Sequence, residues 1–208
     1  MTANPFVGAS EELAARDDAL ARLVGAHGPC TIGRGRPERT HFAELARMVC
    51  FQQLAGAAAR TIHGWFEALF AGPPTPEAVL ATPDTALRSA GLSAAKAASI
   101  RDLAVRVESG EVRLARIGRF PDDEVVRQLV TVRGIGRWTA EMFLMFQLRR
   151  IDVWPVDDLG VRKGYARIAG LPAMPTVREL EQLGDRFRPY RSVGAWYCWR
   201  AADTVVPD

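Results

Sequence analysis

The sequence predicts an all-α protein. Apolar residues recur at helical spacing in almost every segment, no run alternates with period two for long enough to make a strand, and prolines sit where helices should begin. Taken in order, the periodicity predicts helices over Glu11–Gly25 and Glu38–Phe51, separated by the loop Thr31–Pro37 with its Gly33, Gly35 and Pro37. Gly56–Phe70 follows and ends in the Pro-rich connector Ala71–Pro76, after which come Thr75–Ala81, Asp84–Ala90 and Ala94–Glu108. The remaining helices are Asp122–Val130, Arg137–Leu148, Leu159–Ile168, Thr176–Phe187 and Ser192–Ala202. Pro83 before Asp84, Pro121 before Asp122 and Pro175 before Thr176 each break the chain where a polar cap can open the next helix. There is no low-complexity segment and no fixed-period repeat.

With 48% hydrophobic and 25% charged residues over 208 positions, the composition is that of a globular chain long enough for one core or two small lobes. No apolar run approaches the roughly 20 residues of a membrane-spanning helix. The opening Met1, Thr2, Ala3, Asn4, Pro5, Phe6 lacks the charged-then-apolar pattern of a secretion signal, so a cytoplasmic protein is expected. Cys30, Cys50 and Cys198 are too far apart in sequence for a disulfide framework or paired metal ligands. His27, His41 and His63 have no paired spacing either, which argues against a zinc hydrolase. The net charge of +3 is only mildly basic, but its distribution is uneven. Arg133, Arg137, Arg149, Arg150, Arg162, Lys163, Arg186, Arg188, Arg191 and Arg200 gather in the second half, as a polyanion-binding surface or simply as a solvated face.

The most informative segment runs from Leu129 to Ala140, where one helix ends and another begins across a turn holding Gly134 and Gly136. Two glycines allow positive φ and close backbone approach. The amides of Gly136, Arg137 and Trp138 then open a helix, where unpaired N–H groups suit a phosphate oxygen. The competing reading is a turn that only changes the chain's direction. A dinucleotide fingerprint fits less well still, because the turn follows a helix and the third glycine position is Thr139.

The segment Leu129, Val132, Gly134, Ile135, Gly136, Arg137, Trp138, Thr139, Ala140 resembles the hairpin of the helix-hairpin-helix DNA glycosylases, in their DNA-3-methyladenine glycosylase II branch. Four further segments agree, in the family's order. Gln52-Gln53-Leu54 resembles its Gln-Gln loop, and Gly91-Leu92-Ser93 with Lys96-Ala97 its Gly-Leu-Ser-x-x-Lys-Ala segment. Pro155–Gly164 resembles the catalytic aspartate motif, and Arg188-Pro189-Tyr190-Arg191-Ser192 a segment near the C-terminus. The similarity spans about Asp17 to Asp203 and implies a compact form without the amino-terminal β-domain of larger members. It implies one helical glycosylase domain over 1–208, of two lobes with a cleft between them, the hairpin lying at about 122–148.

What the resemblance implies chemically is removal of an alkylated purine by hydrolysis. It assigns catalysis to Asp158, leaving Asp157 as the helix cap, although an aspartate pair opening a helix is most often only a cap. Cleaving a purine's glycosidic bond develops positive charge on the sugar, which a carboxylate stabilises while orienting water. An alkylated purine is already cationic, so it leaves neutral without an acid partner and binds well between electron-rich rings. Trp138, Met142 and Trp199 match the base-pocket positions. Gln52 and Gln53 match the loop that contacts DNA and fills the gap left by the extruded nucleotide, with Gln53 as the wedge. Gln52 alternatively serves as a buried helix-end hydrogen-bonding residue.

Gly134, Gly136, Arg137, Thr139, Arg162 and Lys163 match DNA-backbone contacts, and the carbonyls of Val130, Val132 and Gly134 match ligands of a monovalent cation held when DNA is bound. Lyase members of the family carry lysine where this chain has Trp138, so no Schiff base and no strand cleavage are expected. The family's four-cysteine iron–sulfur motif is missing, and neither a cluster nor zinc is expected. The implied partner is duplex DNA, met by a monomer away from any membrane. Rival readings are a non-catalytic helix-hairpin-helix module and a glycosylase for an oxidised or mismatched base.

Overall fold

The computed structural model describes residues 4–35, 37 and 39–203, and every described element is helical. Along the chain these are α1 (Pro5–Arg16), α2 (Asp18–His27), α3 (His41–Phe51), α4 (Gly56–Glu67), α5 (Pro76–Ala81), α6 (Asp84–Ser89) and α7 (Ala94–Glu108). There follow a 3-10 turn (Leu114–Arg119), α8 (Asp122–Leu129), α9 (Arg137–Met142) running into a π-helical turn (Phe143–Gln147), and α10 (Leu159–Ala169). The chain closes with α11 (Val177–Leu183), a second 3-10 turn (Gly184–Phe187) and α12 (Arg191–Ala201). None of the described helices is long and apolar enough to cross a membrane.

The helix expected over Glu11–Gly25 is two helices. Asp17 adopts extended backbone between α1 and α2, and its carboxylate accepts from the Ala19 and Leu20 N–H groups at 2.9 and 3.2 Å. Helical periodicity carries across such a break, so only the capping chemistry reveals it. The earlier start of α1 follows from Asn4, whose side chain accepts from the Phe6 N–H, with Pro5 in the first turn. Of the three proline-marked starts, Thr176 forms a full capping box with Glu179. Pro83 and Pro121 occupy the cap positions themselves, which puts Asp84 and Asp122 inside the first turn, where the helix dipole favours them. The Glu38 start of the second expected helix and Arg36 of the preceding loop lie outside the described residues.

The chain folds into two compact units, one drawn from residues 1–36 and 144–208, the other from Pro37–Phe143. In the first, α10 packs on α12, and α12 also meets α1 and α2. Phe6, Leu13, Leu20, Trp196, Tyr197 and Phe187 are fully buried there. Gly164 on α10 makes the tightest approach, since a Cβ at this position would overlap the Cys198 carbonyl of α12. Trp154, Tyr165 and Phe187 cluster nearby with ring centroids 5.3–6.3 Å apart, Tyr165 edge-on to both of the others. In the second unit α7 packs against α5, α6 and α3, and α3 packs against α4. Leu45, Val49, Phe66, Leu87, Ile100 and Leu103 fill its core. Lys96 donates its ammonium to the Cys50 carbonyl at 2.7 Å, which satisfies the C-terminal end of α3 from the first turn of α7.

Candidate functional site

In the first unit a turn closed by the Asp158 N–H on the Pro155 carbonyl delivers the chain into α10. Asp158 is the N-cap of that helix: its Oδ1 accepts from the Val161 N–H at 2.8 Å. This corrects the assignment of the cap to Asp157, which is exposed and lies in the turn before the helix. Asp158 itself is buried, and the same Oδ1 accepts from Trp199 Nε1 at 2.8 Å. The cap therefore falls on the same residue to which the resemblance assigns catalysis.

Trp199 is the side chain that donates to this carboxylate. Expected as a wall of the base pocket, it is only 1% exposed, its indole stacked on Phe146 at 6.0 Å and its N–H spent on the carboxylate. Gly160 makes room for it, since a Cβ there would stand 2.7 Å from Trp199 Cδ1. Met142, the second expected pocket residue, is buried as well, whereas Trp138 is 40% exposed at the start of α9.

The Arg188–Ser192 segment serves the approach to Asp158. Arg191 grips Asp152 with Nε and Nη2 at 2.9 and 3.0 Å. Ser192 donates to the Arg150 carbonyl and accepts from the Val153 N–H at 2.7 and 2.9 Å. The start of α12 is thus tied to residues 150–153, just ahead of the aspartate turn. Sequence reasoning missed Asp152, which no local spacing signals.

In the second unit the hairpin between α8 and α9 takes its shape from Gly134, whose φ of +76° lies in the left-handed region. A Cβ there would also overlap the Ser99 hydroxyl of α7. Gly136 is the N-cap of α9 and has no side-chain cap hydrogen bond. Asp102 of α7 braces the turn by accepting from the Arg133 N–H at 2.7 Å and from Arg106 Nε at 2.9 Å. Partial burial pushes the Asp102 carboxyl up, but the Arg133 amide, the Arg106 guanidinium and the Arg133 charge outweigh it and hold the group below its ordinary value.

Gln52 ends α3 and donates Nε2 to the Gly134 carbonyl at 2.9 Å, with Thr139 Oγ1 at 3.4 Å. This is the helix-end hydrogen-bonding role that the sequence offered as the alternative for Gln52, and Thr139 is buried beside it. Gln53 is exposed with φ of +55°, a strained conformation at the tip of the α3–α4 loop, beside an exposed Leu54. Arg137 pairs with Glu141 at 2.9 Å and Arg162 donates to the Pro175 carbonyl at 3.0 Å, so both guanidinium groups have work inside their own units. Lys163 is exposed.

Of the three carbonyls expected to hold a monovalent cation, Gly134 O takes the Gln52 amide and Val132 O the Ile135 N–H at 3.1 Å. A cation at Gly134 O would share that oxygen with Gln52 or displace it. Cys30 and Cys50 are buried thiols that burial pushes up to about 12, and burial raises Cys198 too, so none carries reactive thiolate character.

Residues 46–189 match the family model described as HhH-GPD superfamily base excision DNA repair protein. This chain belongs to that superfamily. It is 34% identical over 186 residues to DNA-3-methyladenine glycosylase 1 of Schizosaccharomyces pombe, a match covering 88% of this chain and 80% of the relative. A solved structure of the Schizosaccharomyces pombe 3-methyladenine DNA glycosylase in complex with abasic DNA superposes with a TM-score of 0.83 at 33% identity, covering 95% of this chain and 98% of that one. DNA-3-methyladenine glycosidase from Bacillus halodurans superposes equally well, at TM-score 0.83 and 33% identity over 98% and 91% of the two chains. Within the HhH-GPD region fall the Gln52–Gln53 loop, the hairpin and Asp158, while Trp199 lies beyond its matched end.

Proposed function

We propose that this protein is a monofunctional DNA glycosylase that hydrolyses the N-glycosidic bond of alkylated purines of the 3-methyladenine type in duplex DNA, the first step of base excision repair. The observation that carries this reading is a buried aspartate, Asp158, fixed by two hydrogen bonds to one oxygen, on a chain one-third identical to a named DNA-3-methyladenine glycosylase.

The hairpin amides and Lys163 hold the DNA backbone without reading sequence. The damaged nucleotide leaves the stack, and Gln53, exposed at the α3–α4 tip, fills the gap. Trp138 offers the cationic base an electron-rich face. The C1′–N bond then breaks with its electron pair going to the base, which departs neutral because it entered as a cation. Asp158 stabilises the positive charge left on the sugar and accepts a proton from the water that adds to C1′. With Trp138 where lyase members carry lysine, the step ends at an abasic site and an intact strand. The residues ask for no zinc and no cluster, and the protein works as a monomer.

Release of free 3-methyladenine from methylated duplex DNA tests the reading. Wild type should release it without strand cleavage before alkali, and Asp158→Asn should lose at least about 100-fold in rate. A folded, DNA-binding wild type that released nothing would move the function to a neutral lesion or to DNA binding alone.

A further inference from the structure

The geometry points to Trp199 as a positioning residue: its indole N–H, donated to Asp158 Oδ1, sets the orientation of the carboxylate on which excision depends. This inference rests on the glycosylase reading for its kinetic consequence, though not for its structural one.

Three observations support it. Asp158 caps α10 by accepting the Val161 N–H on Oδ1. The Trp199 N–H falls on the same oxygen, so two donors on different elements hold Oδ1 in place. The donor is itself held. Trp199 is buried, stacked on Phe146 at an interplanar angle of 25°, and lodged against Gly160, two residues after Asp158, where a Cβ would meet the indole at 2.7 and 3.2 Å. Gly160 is therefore part of the same device: α10 gives up a side chain in its first turn so that the indole can reach the cap. Such an arrangement matters to chemistry because a misplacement on the order of 1 Å can cost about 100-fold in rate.

Trp199→Phe keeps an aromatic ring on Phe146 and deletes the donor. With a duplex oligonucleotide carrying one alkylated purine, kcat should fall tenfold to about 100-fold while KM stays within about threefold. The second readout is the indole N–H signal of Trp199 in a 15N-labelled protein, recognised by its contacts with the Phe146 ring. In wild type it should resonate downfield, as a donor to a carboxylate does, and it should move upfield in Asp158→Asn. A kcat loss below tenfold, a loss that appears in KM instead, or an indole signal indifferent to Asp158→Asn overturns the inference. If wild type itself releases no base, the glycosylase reading fails, and the indole signal still decides whether Trp199 holds Asp158. The same signal decides the case if Trp199→Phe does not fold.

Discussion

Asp158 combines a structural and a chemical task in one side chain, and substitutions can separate them. Asparagine keeps a side-chain oxygen for the Val161 and Trp199 donors, whereas alanine removes the acceptor for both. Asp158→Asn should therefore unfold within about 1 kcal/mol of wild type. Asp158→Ala should lose roughly 2–4 kcal/mol, about 1 for the cap and the rest for a buried indole N–H left without its acceptor. Denaturant titration of both variants checks this; equal stabilities would mean that neither bond matters to the fold. Asp102 invites a different measurement. Its carboxyl lies below its ordinary value when folded, so its contribution is fully present above the unfolded value of about 3.9 and fades as pH falls through the lower folded value. In Asp102→Asn the melting temperature should drop at neutral pH and then depend less on pH below 4 than in wild type.

The hairpin is an element whose conformation is imposed from outside as much as from within. Gly134 supplies the positive φ, the Ser99 side chain leaves no room for a Cβ, Gln52 holds the Gly134 carbonyl, and Asp102 holds the Arg133 amide. Gly134→Ala should cost about 1–2 kcal/mol from backbone strain, together with a further loss from the overlap with Ser99. Ser99→Ala in the same chain should recover the second part and not the first. Thermal melts of the single and double variants check the partition, and DNA binding should weaken in parallel if the hairpin amides hold phosphate. The Lys96 bond to the Cys50 carbonyl belongs to the same scale, since it joins two elements that carry family motifs without contacting anything external.

For the whole molecule, the controlling contact in the first unit is the crossing of α10 and α12 at Gly164 and Cys198. The obstructing atom is a backbone carbonyl, which no rotamer change can move aside, so Gly164→Ala should cost about 3 kcal/mol, the upper end of ordinary overpacking. In a chain of this size that corresponds to a fall of roughly 6–12 °C in melting temperature. The variant should lose excision activity only as far as it loses folded protein at the assay temperature, a comparison that circular dichroism and base release on one sample would make. DNA affinity should fall steeply with added salt and vary little with sequence, because the proposed contacts are to backbone phosphates.

By itself the sequence determined the all-helical class, the order of most elements, the two-glycine hairpin and the aspartate pair ahead of α10, though not which of the two caps it. Each of these is written in local chemistry: 3.6-residue periodicity, a glycine that can take positive φ, and a polar residue ahead of an apolar run. What only the tertiary structure decided was which groups meet. Residues 41 positions apart bring the Trp199 N–H to Asp158, 82 positions bring Gln52 to Gly134, and 39 bring Arg191 to Asp152. Trp199 and Met142, which the resemblance places in the base pocket, are buried in the fold, and an aromatic or a methionine at helical spacing does not say which face of its helix is covered. That depends on the elements packed against the helix, and those are specified by the rest of the chain.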